Sequence, residues 1–567
     1  MAGERSVQPV GDEGSRLNLK TMERLYLAAF FGELLIRLSR TNVADLDLWG
    51  RLTVPGIFYS CGKLPVRDFF SFTAYGDPWF DHEWGAGFFF DAALWMAGDV
   101  GLTLFKWCLA FGMIWALWLV NRRLASPPVM VFLVSMMAIP IWGIGFGSTA
   151  RCQNLTFFFF ALLLLLMERI RSQTNWLLVS LVVPLALVWV NVHGGFVVGL
   201  GVVMLYALGS WLNRADPKPF LVATGLFGIT SLINPYGLDY WKFILYAISL
   251  RRPEIGEWAS SNPLNTTFWT FVALSLLAVV SMMMAWRNRR RDMDWIPILV
   301  LLATMAFGWR AVKHQSLFAI AAVAFLPNLF QRAWPGLFVG RRFAFELRSD
   351  RIDRAARSWI PAGIALTAVV VLGIVLIPQD RPLGVQIPYG NFNPLGNGAA
   401  TYPVHAVEFL EKAPFEGNLL APFNHGQFLL HRLYPKFRVA IDGRMEEVYS
   451  VETYREMIRF FDVSPPDWRT ADEWGADLVL WPQYRLYLDR ADVPSQFVTV
   501  FQDGEYIVLV RRGLLTGPPP GPVDQPRFSD RPVYLNDFLR PAEDRSRFSQ
   551  YCSEPHLDPA GSHPTEP

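Results

Sequence analysis

NVADLDLWGRLTVPGIFYSCGKLPVRDFFSFTAYGDPWFDHEW, residues 42–84, is the stretch on which the reading of this chain turns. It follows the first long apolar segment and holds Asp45, Asp47, Asp68, Asp77, Asp81 and Glu83, with Arg51, Lys63, Arg67 and His82 among them. Trp49, Trp79 and Trp84 stand beside these charges, where amphipathic rings suit a membrane–water interface. A plain connector between membrane helices does not need this density of acids. The loop is expected to carry chemistry, and the helices around it to hold what it acts on.

Composition supports a membrane setting. Of 567 residues, 52% are hydrophobic and 18% charged, with 44 Phe and 22 Trp; soluble chains carry roughly 25% charged residues. The formal net charge of +2 is too small for a nucleic-acid partner. Cys61, Cys108, Cys152 and Cys552 are scattered without CxxC or metal-ligand spacing, so no disulfide framework is expected, although Cys61 and Cys152 could both face an oxidising compartment. The polar first twenty residues show no cleavable-signal pattern, and the first apolar segment is expected to direct insertion itself.

Apolar runs long enough, or nearly so, to cross about 30 Å of hydrocarbon recur near 23–40, 102–120, 128–147, 153–168, 175–192, 195–212, 219–233, 266–286, 295–309, 314–331 and 358–377. Gly85–Met96 is apolar but short, and reads as a helix lying along the membrane surface. With these spans the basic clusters Lys20/Arg24, Arg122/Arg123, Glu168–Arg171, Arg214/Lys218, Arg287–Arg291 and Arg341–Arg357 all fall on one side. The positive-inside rule makes that side cytoplasmic. The other side receives the acidic loop, Arg151, Asn191-Val-His-Gly-Gly, Asn234-Pro-Tyr-Gly, Arg251–Trp258, Trp309–His314 and everything after Gln379. Polar groups at membrane depth are costly unless paired or lining a wet cavity, and their gathering on one face implies such a cavity.

The organisation read from the sequence is a cytoplasmic N-terminus (1–22), a membrane module (23–378) with its first exterior loop at 41–101, a Pro/Gly/Asn-rich linker (379–401), a small exterior domain (402–513) and a disordered tail (514–567). In the exterior domain helical patterns (Val404–Lys412, Val451–Phe461) alternate with strand-like runs (Gly417–Ala421, Phe437–Ile441, Leu478–Trp481, Phe497–Phe501, Tyr506–Val510), an α/β pattern. The expected fold is a polytopic α-helical membrane protein of about eleven spans with a C-terminal extracytoplasmic α/β domain.

Several residues are candidates for chemistry. Asp45 and Asp47, if extended, share a face; one would act as a base while the other binds a metal or orients Arg51, and Asp47 is slightly favoured. A general base needs its carboxylate within hydrogen-bond reach of the acceptor hydroxyl; helix capping is the plainer reading of both. Asp81, His82 and Glu83 would bind substrate or a divalent ion, though no HExxH-like spacing follows. Arg151, Arg251, Arg252, Arg310, Lys313 and His314 run against the charge bias of exterior loops and would suit a phosphate at the membrane surface. Their plainer role is in salt bridges to Glu254, Glu257 or the loop acids. His193 is a further substrate-binding candidate, or a histidine bonded between packed helices. Asn234-Pro-Tyr-Gly ends a span. Asn424-His-Gly-Gln and Ile441-Asp-Gly-Arg-Met-Glu-Glu stand out in the exterior domain, where Asp442, Arg444 and Glu446 either cover an acceptor site or serve structure.

Asp-x-Asp-x-Trp after the first helix, then Gly62-Lys-Leu-Pro-Val-Arg-Asp-Phe-Phe-Ser, then Trp79-x-x-His-Glu-Trp, resembles the bacterial GT-C superfamily of polytopic glycosyltransferases. That group includes protein O-mannosyltransferases and aminoarabinose transferases. The resemblance covers roughly residues 20–335, and many members also end in an exterior domain. It implies an inverting hexosyl or pentosyl transfer from a polyprenyl-phosphate sugar to an acceptor hydroxyl on a glycan, lipid or protein, with the loop acid at Asp45 or Asp47 as base. Arg151, Arg310 or Lys313 would hold the donor phosphate. No cofactor is required, a divalent metal ion is left open, and no phosphate-cradling glycine loop is present. The implied location is the inner (cell) membrane.

Three other readings make different demands. A lipid or polysaccharide transporter or flippase predicts inverted repeats and broken helices at mid-membrane, and no repeat is evident. An O-antigen-ligase-like enzyme would carry its large loop late in the chain, whereas here it is first. A non-catalytic scaffold predicts that Asp45 and Asp47 are dispensable.

Overall fold

The computed structural model describes residues 42–147, 149, 151–250, 255–289, 293–335, 383–389, 401–483, 488–517, 532–539 and 546–553, with Gly32, Leu34 and Leu38. The expected span at 358–377, most of the first span and of the linker, and Arg251 and Arg252 lie outside these residues.

The apolar runs fold as helices at Pro128–Phe146, Cys152–Ser172, Val182–Val192, Phe196–Leu212, Lys218–Thr230, Phe268–Arg289, Trp295–Arg310 and Gln315–Ala333. Among the described residues, three helical stretches combine the length and apolarity needed to cross a membrane: Trp84–Arg123, Phe268–Asn288 and Val312–Ala333. Shorter apolar helices pack around them. Trp84–Arg123 breaks at Ala97 and Gly98, where Gly98 takes φ +60°, a conformation that costs a residue with a side chain but not glycine. The break therefore falls between the short apolar segment read as lying on the surface and the run read as a span.

Among the described residues before 335, two longer helices were not foreseen as elements. Leu48–Cys61 occupies the first half of the acidic loop, and Gly237–Ser249 follows Asn234-Pro-Tyr-Gly. The second leaves Leu238, Leu245, Tyr246 and Ile248 exposed while Tyr240, Phe243 and Ile244 are buried. Trp49 and Trp79, expected at a membrane interface, are instead sealed in the interior. Trp49 packs on Phe428, Tyr402 and His431 of the C-terminal domain.

With β1 (Gln386–Ile387) outside it, that domain is an α/β layer built on five strands, β2 (Gly417–Leu420), β3 (Phe437–Val439), β4 (Leu478–Pro482), β5 (Phe497–Gln502) and β6 (Tyr506–Arg511), in the order β3-β2-β4-β6-β5. β3, β2 and β4 run parallel, and β4, β6 and β5 antiparallel. β3 would be an open edge, and open edges invite pairing. Here the acidic loop covers it: Ser71 bridges Val439, the Phe72 amide donates to the Val439 carbonyl at 3.0 Å, and the Val439 amide donates to Phe70 at 3.0 Å. One continuous apolar cluster runs from the membrane helices through Trp49, Phe70 and Trp79 into Tyr402, Phe428 and Phe548. Loop and domain thus share a core.

The tail read as disordered contributes ordered pieces. Val533–Tyr534 pairs antiparallel with Gln386–Ile387, and Asn536 exchanges hydrogen bonds with Asp99 at the helix break. Phe538, Phe548 and Tyr551 are buried, and Cys552 forms a disulfide with Cys61 across 491 residues. Sparse aromatic anchors in a Pro-, Asp- and Arg-rich segment escape a composition-based reading. Cys108 and Cys152 are free, so the partner of Cys61 is the tail and not Cys152. Cys552→Ser is expected to lower stability by about 2–4 kcal/mol, read as a drop in thermal midpoint. A Cys61–Cys552 peptide should appear in non-reducing digests of the wild type alone.

Candidate active site

Arg51, on the Leu48–Cys61 helix, is 5% exposed and surrounded by carboxylates. Its Nη1 donates to Asp81 Oδ1 at 2.6 Å, and its Nη2 lies 2.9 Å from Glu83 and 3.5 Å from Glu447. Glu447 arrives from the C-terminal domain. It also accepts from Trp79 Nε1 at 3.0 Å and pairs with His82 Nδ1 at 2.6 Å. The two carboxylates beside His82, Glu447 foremost, outweigh its burial and push its pKa up to about 9, so the ring is an imidazolium at neutral pH. Glu83, facing Arg51, His82 and His193, is held well below the usual carboxylate range despite its burial.

His193 completes this group with a definite tautomer. Its Nδ1 accepts from the Gly195 amide at 2.8 Å and stands 2.9 Å from Thr156 Oγ1, which itself accepts from Trp189 Nε1 at 2.8 Å. The proton therefore sits on Nε2, which faces Glu83 Oε1 at 3.4 Å. Burial holds the ring neutral, its pKa lowered to about 3. His82 Nε2 faces the same oxygen at 3.5 Å, so two imidazoles converge on one carboxylate oxygen. Among the described residues no group of three or more His, Cys, Asp or Glu stands in an arrangement that holds a metal ion.

Asp47 is not extended, the condition on which the two carboxylates would share a face. Asp47 is the N-cap residue of Leu48–Cys61 in a helical conformation, yet its carboxylate makes no capping bond. Asp45 Oδ1 accepts the Asp47 amide at 3.1 Å, and Asp45 Oδ2 lies 3.3 Å from Arg151 Nε. Arg151 in turn bonds Glu257 at 2.8 Å, the salt-bridging role foreseen as its plainer reading. Tyr402 of the C-terminal domain donates to the Asp45 carbonyl at 2.8 Å, and Gln427 accepts the Gly50 amide at 3.1 Å. Asp47 stays half-buried under Gly443, where an added Cβ would stand 2.8 Å from its Oδ1. Burial first, and then the charge of Asp45, push Asp47 up to about 8 against the pull of Arg51 and Arg151.

The structure thus gathers Asp45, Asp47, Asp81, His82, Glu83, Arg151 and His193 into one district. Asp81, expected to bind substrate, is fully buried; its Oδ1 is committed to Arg51 and the Glu83 amide. Lys313 borders the group, its amide on the Glu257 carbonyl at 2.9 Å and its ammonium 3.1 Å above the Trp258 ring. His314 is edge-on to Trp258 and Phe307. Arg310 is exposed and reaches back to the Ile248 carbonyl at 3.4 Å, apart from the acids. Asp442 and Arg444 form a closed clamp: Arg444 grips Asp442 with two nitrogens and lies 2.8 Å from Asp68, while Tyr449 donates to Asp442 at 2.6 Å. Glu447, Tyr402 and Thr156 went unrecognised in the sequence. Glu447 alone had a local signal, as the last residue of the Ile441-Asp-Gly-Arg-Met-Glu-Glu run, which stood out without pointing to it.

No protein-family model matches the sequence, and no curated protein matches it. Among solved structures the chain is similar to the archaeal oligosaccharyltransferase AglB from Archaeoglobus fulgidus, solved with an inhibitory peptide and a dolichol-phosphate. Identity is 11%, the match covers 82% of this chain and 70% of that one, and the TM-score is 0.47. It is also similar to ArnT from Cupriavidus metallidurans, solved bound to undecaprenyl phosphate, at 13% identity, 87% and 98% coverage and a TM-score of 0.46. At this level of likeness the chemistry rests on the residues themselves.

The site has a pH signature. A His82 pKa of about 9, above its ordinary 6.5, adds stability that is complete below pH 6.5 and lost as pH rises through 9. The Asp47 contribution, also declining with pH, is spent by about pH 8. Above pH 8 the remaining fall in thermal midpoint is expected to vanish in His82→Gln, a component on the order of 2 kcal/mol.

Proposed function

We propose that this chain is a membrane glycosyltransferase that moves a sugar from a polyprenyl-phosphate donor to an acceptor hydroxyl at the extracytoplasmic face, with inversion, and that Asp47 is its general base. The observation that carries the reading is the unequal pair of acids under the C-terminal domain. Asp45 is engaged by Arg151 and by the Asp47 amide, while Asp47 is half-buried, makes no capping bond and holds its proton up to about pH 8. A base works best with a pKa near the operating pH. Glu83, held as an anion by Arg51, His82 and His193, is too weakly basic for that role and serves to orient substrate hydroxyls.

In the step proposed, Asp47 takes the proton of the acceptor hydroxyl as its oxygen bonds to the anomeric carbon. The bond from that carbon to the phosphate oxygen breaks, and its electron pair leaves with polyprenyl phosphate. Lys313, which borders the acids, neutralises the departing phosphate, which eases its departure. The Cys61–Cys552 disulfide supports an oxidising, extracytoplasmic setting for both loop and domain. With it goes a cytoplasmic N-terminus in the inner (cell) membrane. No metal enters this step.

Turnover of labelled polyprenyl-monophosphate sugars in vesicles tests the reading. Wild-type transfer should rise about tenfold per pH unit below 8, level off, and fall as pH passes through about 9, where His82 loses its proton. Asp47→Asn should lose roughly a hundredfold or more. Asp45→Asn removes the like charge and should move the midpoint to lower pH. Equal turnover in all three proteins, or none in the wild type across a donor panel, overturns the assignment. Gly443→Ala crowds Asp47 and Gln427 and should depress transfer, whereas Gly504→Ala, with open space around it, should not.

A further inference from the structure

Glu447 lies in a 3-10 turn at Met445–Glu447, is 3% exposed, and is separated from the acidic loop by more than 360 residues of chain. It nevertheless meets three of the loop's donors: Trp79 at 3.0 Å, His82 Nδ1 at 2.6 Å and Arg51 at 3.5 Å. The Phe80 amide donates to its backbone carbonyl at 3.3 Å, so main chain and side chain grip the same strip. The turn itself is fixed from behind, because Arg444 is locked between Asp442 and Asp68 and lies over the Trp79 ring at 4.6 Å. Resting on the glycosyltransferase reading, we propose that Glu447 is a positioning residue of the C-terminal domain: it holds His82 and Arg51 so that Glu83 is presented to substrate.

The geometry leaves His82 with little choice. Its two nitrogens point to two carboxylates, Glu447 on Nδ1 and Glu83 on Nε2. From other elements it is faced by Arg51, by His193 with ring centroids 6.4 Å apart, and by the Phe243 ring at 5.7 Å; Tyr240 OH donates to its carbonyl at 3.4 Å. Without the Glu447 charge, Arg51 keeps Asp81 and Glu83, while the imidazolium loses its stronger partner and keeps only Glu83 on its Nε2. His82 then releases its proton at lower pH, and Glu83 is left to Arg51, the neutral His193 and the Cys152 thiol. The C-terminal domain is in this sense part of the site.

The test uses the full-length protein in nanodiscs with Glu447→Gln and Glu447→Asp. Two readouts are taken: polyprenyl-monophosphate-sugar transfer against pH, and the titration of histidine Cε1 signals, with His82→Gln supplying the assignment. Expected for Glu447→Gln are a kcat lower by roughly ten- to a hundredfold, a fall in rate on the alkaline side that begins at lower pH than in the wild type, and a His82 titration moved toward neutrality. Glu447→Asp should restore part of each. Formation of the Cys61–Cys552 disulfide checks that the variants fold. A His82 titration in Glu447→Gln unchanged from the wild type overturns the proposal, whatever the transfer assay gives. So does a wild-type pH profile in that variant. A wild type that transfers no sugar while His82 shifts as expected overturns the glycosyltransferase reading and, with it, the presentation of Glu83 to substrate, and leaves only the Glu447–His82 contact.

Discussion

Sealing the guanidinium of Arg51 from water is the constraint on which the rest depends. A buried charge must be matched, and removing one partner of such a pair is far more costly than never burying it. Arg51 is matched by Asp81 and Glu83 from its own loop and by Glu447 from the C-terminal domain. Three segments must therefore arrive together before the cation is satisfied. The loop helix, the Trp84 helix that follows the Asp-His-Glu run and the C-terminal domain are thereby fixed against one another. The β3 edge, the Trp49 contacts and the Cys61–Cys552 bond work to the same end.

A loop fixed in this way can sustain charges that would otherwise relax. Asp47 keeps an elevated pKa because it is buried and because Asp45 cannot turn away: the Asp45 carboxylate is tied to Arg151 and its carbonyl to Tyr402. Glu83 stays anionic because two imidazoles and Arg51 face it. The two carboxylates are driven in opposite directions by their surroundings, which is how one site supplies both an acceptor of protons and a fixed anion. Apolar helices contribute His193, Thr156 and Arg151 at or near their termini, so the district lies where polar groups can be matched.

Much of this was legible in the sequence, where the signals are local. The apolar runs marked the helices, and alternation marked the strands of the C-terminal domain within a residue or two. The acidic loop announced itself by composition. What stayed hidden depends on distant pairing. Nothing near Glu447 says that it meets His82, and nothing near Trp49 and Trp79 says that a folded domain will cover them. The difference between Asp45 and Asp47 is likewise invisible from spacing, because it arises from Arg151 and from burial under Gly443. The tail misled for the opposite reason: its charged, Pro-rich composition masks Phe548, Tyr551 and Cys552, three residues that suffice to anchor it.

The most direct test is a structure of the protein in nanodiscs with a polyprenyl-monophosphate sugar bound. The account predicts the phosphate on the Lys313 side of the acid district and the anomeric carbon facing Asp47, with room for an acceptor oxygen about 3 Å from each. A donor seated away from the loop, with Asp47 still covered by Gly443 and no path between them, would contradict it.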